Sequence, residues 1–130
     1  MRRARARGEH VLVLDDDPAV RTALTEVLTA AGYRVSAVAT GTEALARVAA
    51  GALPEILVTD VLLPGLSGPE VAARLKRIRP GVAVVFVSGY SATALAERDL
   101  VAADSAFLQK PFSTDELLHA VEEVLAARRR

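Results

Sequence analysis

The sequence predicts an open, doubly wound α/β fold with five parallel strands, and three features of the chain support this prediction. Short apolar blocks of strand length alternate with segments of helical period. The blocks around Leu12, Leu57 and Val84 are nearly continuous in Val, Leu and Ile, as expected for parallel strands buried on both faces. Capping and turn residues separate the blocks. Five such strand–helix repeats favour the flavodoxin-like strand order 2-1-3-4-5.

Each predicted strand is an apolar block that ends at a turn or at polar residues. The predicted strands are His10–Leu14, Arg34–Val38, Ile56–Thr59, Val82–Val87 and Ala106–Gln109. A helix is expected after every strand, and right-handed β-α-β crossovers then place helices on both faces of the sheet. In this architecture ligands bind at the carboxyl ends of the strands, where strands 1 and 3 are neighbours.

Capping residues mark where the predicted helices begin. Asp17 before Pro18 is typical of an N-cap followed by proline at the first helical position. The fourth helix is expected at about residues 92–103 from an alanine-rich pattern. The spacing of a capping box recurs three times, at Thr40–Glu43, Ser67–Glu70 and Ser113–Glu116. The last helix has an apolar stripe that predicts its buried face, formed by Leu117, Val121, Val124 and Leu125.

The length and composition fit one globular domain with its own hydrophobic core. The chain has 130 residues, 52% of them apolar, and no cysteine, which excludes disulfides, thiolate metal sites and a cysteine nucleophile. No apolar run approaches the roughly 20 residues that span a bilayer, and no signal peptide is recognisable. We therefore expect a cytoplasmic protein that does not bind a membrane.

The formal net charge of zero conceals two basic ends. Seven of the sixteen basic residues are arginines within residues 1–8 and 128–130, and the body between them holds nine basic against sixteen acidic residues. We interpret residues 1–8 and 128–130 as solvated tails of one domain at residues 9–127. The acidic body argues against nucleic-acid binding by the domain, because phosphate backbones attract basic surfaces.

Acidic side chains follow two strands that the predicted order makes neighbours. Asp15 and Asp16 follow strand 1, and Asp60 follows strand 3. Two carboxylates about 4 Å apart repel each other by about 4 kcal/mol at an effective dielectric constant of roughly 20. Three of them therefore need a proton or a cation between them. Oxygen ligands at a partly open site favour a hard cation, so the sequence predicts a site for Mg²⁺, which Mn²⁺ could also occupy.

Strands 4 and 5 end in groups that suit a phosphoryl group. Lys110 would bring an ammonium group to the same crevice, and Ser88 and Gly89 would supply a hydroxyl and an unhindered backbone N–H. A metal ion, an ammonium group, a hydroxyl and an amide together stabilise a phosphoryl group in transit. Asp60, at the centre of these groups, is the best-placed nucleophile. Each residue alone fits an ordinary structural role, but complementary groups at four strand ends favour a site.

Four blocks of the sequence carry these candidate residues. They are VLVLDDDP at residues 11–18, TDVLLPGLSG at 59–68, VFVSGY at 85–90 and FLQKPF at 107–112. In this order and at these separations they resemble the receiver domains of two-component signalling, over roughly residues 10–127. The resemblance implies a phosphoacceptor and not a turnover enzyme. It also implies that a sensor histidine kinase, a histidine phosphotransfer protein or a small phosphodonor such as acetyl phosphate supplies the phosphoryl group.

The resemblance further implies a role for each site residue. Asp60 would accept the phosphoryl group, Asp16 would bind Mg²⁺ directly, and Asp15 would bind it largely through water. The backbone carbonyl of Leu62 would complete the protein ligands. Lys110 would pair with the phosphoryl oxygens, and its bond to the following proline would be cis.

A switch is implied as well. Ser88, helped by the Gly89 amide, would turn toward the phosphoryl group, and Phe107 would then turn inward. The surface formed by the fourth helix, strand 5 and the last helix would change shape and meet a downstream protein. Phe107 stands where tyrosine is frequent, so it lacks a phenolic hydrogen bond. Leu62 and Tyr90 lie two residues beyond the acceptor and the switch serine, and we hypothesise that they slow hydrolysis of the acyl phosphate.

Other interpretations stay open at this point. A flavodoxin-type FMN binder shares the fold, but its phosphate loop after strand 1 should be rich in hydroxyls and glycine. A haloacid-dehalogenase-type phosphatase would use an Asp-x-Asp-x-Thr/Val motif, which Asp15 and Asp17 nearly fit, although Ala19 does not. A third candidate is an interaction module on the receiver fold that is not phosphorylated. The domain could be a monomer or a weak homodimer, and free-standing or part of a larger regulator or hybrid kinase.

Overall fold

The computed structural model describes residues 7–90 and 105–128 and contains five strands in one sheet. The strands are β1 (His10–Leu14), β2 (Arg34–Val38), β3 (Ile56–Asp60), β4 (Ala83–Ser88) and β5 (Ala106–Gln109). Their order is β2-β1-β3-β4-β5, and every neighbouring pair is parallel. This order confirms the predicted flavodoxin-like topology and makes β1 and β3 neighbours.

Helices cover both faces of the sheet. Within the described residues they are α1 (Pro18–Ala30), α2 (Gly41–Ala49), α3 (Gly68–Ile78) and α4 (Thr114–Arg128). The helix predicted at about residues 92–103 lies outside the described residues, as do most of the predicted N-terminal tail and residues 129 and 130. None of the described helices is long and apolar enough to cross a membrane.

The sheet divides the apolar core into two layers. On one face, Val11 and Val13 of β1 pack in a layer with buried residues of α1 and α4. On the other face, Leu12 and Leu14 pack with buried residues of α2 and α3. Burial on both faces explains why this strand is a continuous apolar run and not an alternating one.

The apolar face of α4 is wider than the stripe predicted for it. This helix packs against both β4 and β5, so a broad face is removed from water. Leu118 and Ala120 are buried in addition to the predicted residues. Of the predicted residues, Leu117, Val121 and Leu125 are buried and Val124 is partly buried.

Capping bonds fix the loops that leave the carboxyl edge of the sheet. The Asp17 carboxylate accepts a hydrogen bond from the backbone N–H two residues later, which confirms the predicted cap of α1. At α3, Ser67 and Glu70 each accept a bond from the other's backbone N–H, so the predicted capping box is complete. A reciprocal pair of the same kind begins α4. At α2 the Thr40 hydroxyl accepts from the Glu43 N–H, but the Glu43 carboxylate contacts that hydroxyl and not the backbone.

Two strands reach one residue further toward their carboxyl ends than predicted. Asp60 belongs to β3 and pairs with Val87, and Ser88 belongs to β4 and pairs with Gln109. β4 also begins one residue later than predicted, at Ala83. Polar residues at the end of an apolar block resemble turn residues in the sequence. This explains why the prediction ended both strands one residue too early. As a consequence, two candidate site residues are held in the sheet itself.

Candidate functional site

The three aspartates that were expected to converge lie together at the carboxyl edge of the sheet. Asp15 and Asp16 follow β1, and Asp60 is the last residue of β3, the strand beside it. One carboxylate oxygen from each residue lies within 4.8 Å of the other two. Asp15 is buried, Asp60 is partly buried and Asp16 is exposed. The cluster is therefore open to solvent on the side of Asp16.

Every polar group of Asp15 has a partner. Its backbone N–H donates to the last carbonyl of β2 at 3.2 Å, and its carbonyl accepts a bond from Arg21 Nη1 at 2.8 Å. Its Oδ1 accepts from the Asp17 N–H at 2.9 Å, and its Oδ2 accepts from Lys110 Nζ at 3.4 Å. Burial nevertheless raises the pKa of the Asp15 carboxyl, and the charge of Asp60 acts in the same direction. Additional positive charge near Asp15 would therefore stabilise its ionised form.

Lys110, directly after β5, joins two of the aspartates. Its Nζ lies 3.1 Å from Asp60 Oδ2 and 3.4 Å from Asp15 Oδ2. Its backbone N–H donates to the Ser88 carbonyl at 2.7 Å, and its peptide bond to Pro111 is cis, as expected. Burial lowers the pKa of Lys110, but the interactions with Asp60 and Asp15 outweigh burial and raise the pKa above its ordinary value. The ammonium group therefore stays charged at neutral pH.

The backbone of Asp60 is held by two residues that the sequence analysis did not single out. The Thr59 hydroxyl donates to the Asp60 carbonyl at 2.9 Å, and Thr59 is fully buried. Gly68, the first residue of α3, lies so close that a Cβ there would collide with the Asp60 carbonyl oxygen. The Gly68 N–H also donates to the Val61 carbonyl at 3.0 Å. The sequence did contain one signal for this contact, the glycine at the first position of α3. Most residues are allowed at that position, so the choice of glycine indicates that a side chain there would collide with something.

The charge of the cluster fits a divalent cation. The two oxygens of Asp60 accept different bonds, Oδ2 from Lys110 and Oδ1 from the Leu62 N–H at 3.3 Å. With all three aspartates ionised, one lysine leaves the cluster with a net charge of −2. Carboxylate oxygens are hard ligands, and a partly exposed set of them suits a cation that keeps several waters. The donor set therefore fits Mg²⁺.

The two predicted switch residues occupy defined positions. Ser88 is buried, and its Oγ accepts a hydrogen bond from the Tyr90 N–H at 3.0 Å. Gly89 is exposed, and a Cβ there would meet nothing within 4 Å, so packing does not require a glycine. Phe107 pairs with Phe86 across β4 and β5 and packs, partly buried, against the core layer of α2 and α3.

Leu62 and Tyr90 are large side chains that remain exposed next to the site. Their exposed fractions are 40% and 49%. The backbone N–H of each is bonded to the side chain two residues before it, Asp60 and Ser88 respectively. These bonds place the backbone of both residues next to Asp60 and Ser88, while their side chains are exposed to solvent.

Comparisons of the sequence with known proteins agree on one family. A sequence model described as response regulator receiver domain matches residues 11–122. The response regulator receiver protein CpdR of Brucella abortus is 31% identical over 119 residues, which are 92% of this chain and 98% of CpdR. The sensor kinase CckA of Brucella abortus is 37% identical over 116 residues, which are 88% of this chain but 12% of CckA. The transcriptional regulatory protein TcrA of Mycobacterium tuberculosis is 37% identical over 113 residues, and this chain spans 44% of it.

Solved structures share the fold over nearly the whole chain. A response regulator receiver protein from Sinorhizobium medicae superposes with a TM-score of 0.86 at 32% identity, covering 94% of this chain and 98% of that one. The response regulator TrrA from Thermotoga maritima, in complex with Mg²⁺–BeF, superposes with a TM-score of 0.75 at 28% identity, covering 89% of this chain and 98% of TrrA.

Proposed function

The chain belongs to the response regulator receiver domain family, and from this premise we propose that Asp60 accepts a phosphoryl group in a Mg²⁺-dependent reaction. One observation carries the proposal: the Asp60 carboxylate lies within 4.8 Å of Asp15 and Asp16 and is bound at 3.1 Å by Lys110. This arrangement supplies a carboxylate nucleophile together with positive charge where negative charge develops. Phosphoryl transfer is the chemistry that needs both.

In the proposed step, a carboxylate oxygen of Asp60 forms a bond to phosphorus while the bond from phosphorus to a histidine nitrogen of the donor breaks. The electron pair of the broken bond stays on the donor imidazole. The Lys110 ammonium group, already within reach of Asp60, pairs with the phosphoryl oxygens. The Ser88 hydroxyl and the Gly89 amide serve as further donors to the same oxygens.

The proposed cation ligands are the carboxylates of Asp15, Asp16 and Asp60 and the backbone carbonyl of Leu62. The cation is Mg²⁺, with Mn²⁺ as a substitute, and when bound it neutralises charge on the phosphoryl oxygens. Asp16 is exposed and free to bind it directly. Both oxygens of Asp15 already accept hydrogen bonds from the protein, which supports binding largely through water.

The switch we propose uses bonds that the structure contains. A Ser88 hydroxyl that turns to donate to a phosphoryl oxygen gives up the bond it now accepts from the Tyr90 N–H. Phe107 then turns inward, and the surface to which β5 and α4 contribute changes shape. Phosphorylation shifts the equilibrium between these two arrangements of Ser88 and Phe107 only as far as it stabilises one arrangement more than the other. Because Phe107 has no hydroxyl, its ring position depends on packing alone.

The proposed phosphodonor is a sensor histidine kinase or a histidine phosphotransfer protein, and the output is an unidentified protein target. The domain acts in the cytoplasm without substrate turnover, without nucleic acid and without a membrane, as a monomer or weak homodimer. A match over nearly all of CpdR supports a free-standing regulator. Matches to 12% of CckA and 44% of TcrA support a receiver joined to further domains.

The intact mass of the protein after incubation with acetyl phosphate tests the proposal. A phosphoryl adduct is expected with Mg²⁺, and none with EDTA or in Asp60→Asn. Asp115→Asn is the matched control, because Asp115 is an exposed residue of the first turn of α4, and it should keep the adduct. An adduct on Asp60→Asn would contradict the proposal. So would the absence of any adduct with both acetyl phosphate and a phosphorylated histidine phosphotransfer protein.

A further inference from the structure

Arg21, the fourth residue of α1, holds the loop of the first two aspartates at two points. Its backbone N–H donates to the Asp17 carbonyl at 2.9 Å, as part of the first helical turn. Its guanidinium Nη1 donates to the Asp15 carbonyl at 2.8 Å, and the side chain is partly buried. The two accepting carbonyls belong to the residues before and after Asp16, so Arg21 holds the backbone on both sides of Asp16.

The Asp15 carbonyl is part of the peptide that joins Asp15 to Asp16. Asp16 is exposed, so the direction of its side chain depends on the orientation of this peptide. The residue on the other side, Asp17, is already fixed, because its N–H donates to Asp15 Oδ1 and its carboxylate caps α1. A hydrogen bond from a charged donor is stronger than one between neutral groups. The guanidinium bond is therefore a charge-assisted contact made directly to the carbonyl of the peptide before Asp16.

We propose that Arg21 is a positioning residue, which fixes the peptide before Asp16 and so holds the Asp16 carboxylate where it binds the divalent cation. This inference rests on the proposed function, since the cation site belongs to that function. Two effects of Arg21 on cation affinity oppose each other. Its positive charge repels a cation, whereas its hydrogen bond orders a cation ligand. The guanidinium is bonded to a backbone carbonyl, and this geometry favours the ordering effect.

Three variants separate the two effects. Arg21→Gln removes the charge and the guanidinium, and Arg21→Lys keeps the charge with a different donor geometry. Arg79→Gln is the matched control, because Arg79 Nη1 also donates to a backbone carbonyl, that of Leu53, at 3.1 Å. That bond lies at the opposite edge of the sheet, near the amino ends of β3 and β4.

Mg²⁺ affinity of the unphosphorylated proteins is measured by calorimetric titration with MgCl₂, and thermal unfolding in EDTA reports stability. Arg21→Gln should bind Mg²⁺ about tenfold more weakly than wild type, as is usual when a residue that orients a metal ligand is removed. Arg21→Lys should lie between the two. Arg79→Gln should lose a comparable amount of thermal stability and keep the wild-type affinity.

Three outcomes would overturn the positioning role of Arg21, and a fourth would overturn the proposed function. Equal or tighter Mg²⁺ binding by Arg21→Gln would overturn the positioning role while leaving the proposed function intact. A loss of affinity in Arg79→Gln equal to that in Arg21→Gln would also overturn it, since general loosening would then account for the effect. If Arg21→Gln does not fold, Arg21→Lys decides, and wild-type affinity there overturns the inference. Failure of the wild type to bind Mg²⁺ would overturn the proposed function itself.

Discussion

Lys110 Nζ lies 3.1 Å from Asp60 Oδ2, and the same atom lies 3.4 Å from Asp15 Oδ2, so one ammonium group joins carboxylates from two neighbouring strands. The exposed fractions of the three side chains are 27%, 14% and 1% respectively. Charges this far withdrawn from water interact more strongly than those of a surface ion pair. Lys110 therefore stabilises the acidic cluster.

Lys110→Met should slow phosphorylation by acetyl phosphate about a hundredfold, because the ammonium group that we propose pairs with the phosphoryl oxygens is lost. Without Mg²⁺ it should also lower the free energy of unfolding by about 2 kcal/mol, because Asp15 and Asp60 then face each other without a cation. A mass-spectrometric time course measures the rate, and urea unfolding measures the stability. Lys76→Met, on α3, is the control and should react at the wild-type rate; equal rates in the two variants would contradict the role of Lys110.

Gly68→Ala should lower the free energy of unfolding by about 2 kcal/mol and weaken Mg²⁺ binding, because the new Cβ must displace the Asp60 carbonyl. Urea unfolding and calorimetric titration measure the two effects. Gly41→Ala is the control: a Cβ there would lie 2.7 Å from Val71 Cγ2 and 2.9 Å from Leu66 Cβ, so it should destabilise as well. It should nevertheless leave Mg²⁺ affinity unchanged. Equal loss of affinity in both variants would mean general loosening and not displacement of Asp60.

The fold could be predicted because its central strands are buried on both faces. Val11 to Leu14 place alternate side chains in the two core layers, and the resulting unbroken apolar run is distinctive in the sequence. Right-handed crossovers then leave few topologies to consider. The strand ends were less certain, since Asp60 and Ser88 resemble turn residues but take part in the sheet.

The acidic cluster with its lysine could be predicted because it depends on charge. Asp15, Asp60 and Lys110 are costly at buried strand ends unless they face one another, so their types and positions alone indicated a cluster. Gly68 acts by lacking a side chain, and Arg21 acts by reaching a backbone carbonyl. Contacts of these two kinds depend on the distances between helices, strands and loops in the folded chain, and these distances cannot be read from the spacing of residues in the sequence.

Truncating Leu62 and Tyr90 to alanine together should speed the loss of the phosphoryl group, because we hypothesise that these two exposed side chains hinder the approach of water to the acyl phosphate. We expect an acceleration of up to about tenfold, which corresponds to about 1.4 kcal/mol of activation free energy. The adduct is followed by intact mass after the phosphodonor is removed. Leu53→Ala, which truncates a side chain that is 38% exposed near the amino end of β3, should leave the rate unchanged. A faster loss in wild type than in the double variant would refute the hypothesis.

His10, the first residue of β1, should make the fold less stable in acid. Burial lowers the pKa of His10 below its ordinary value of 6.5, and the charges of Arg34 and Arg47 act in the same direction, against Glu55 and the Leu53 carbonyl. The unfolded chain therefore takes up the proton at a higher pH than the folded chain. The free energy of unfolding should fall as the pH drops through the ordinary value and below.

His10→Gln removes this proton uptake, so it should gain stability relative to wild type between about pH 8 and about pH 5. Urea unfolding at the two pH values measures the difference. His119→Gln is the control, because the His119 side chain is 72% exposed on α4; it should not show this gain. A wild-type pH dependence in His10→Gln would mean that His10 protonation has no part in acid destabilisation.

Asp15→Asn should raise the free energy of unfolding at neutral pH in the absence of Mg²⁺. Burial, with the charge of Asp60, raises the pKa of Asp15 above its ordinary value of 3.8, so ionised Asp15 is less favourable in the folded chain than in the unfolded one. That cost is present at neutral pH and disappears as the pH falls through the raised pKa. The advantage of the variant should therefore shrink on acidification, as measured by urea unfolding in EDTA.

The same variant should lose its response to Mg²⁺, because a carboxylate of the cation site is gone. At a Mg²⁺ concentration one hundred times the dissociation constant, a ligand that binds only the folded chain stabilises it by about 2.7 kcal/mol. Wild type should show a gain of this size in urea unfolding, and Asp15→Asn should show little or none. Asp17→Asn is the control, since Asn caps a helix as well as Asp does and the Asp17 carboxylate caps α1. A full Mg²⁺ response in Asp15→Asn would remove Asp15 from the cation site and leave Asp16 and Asp60 to hold the ion.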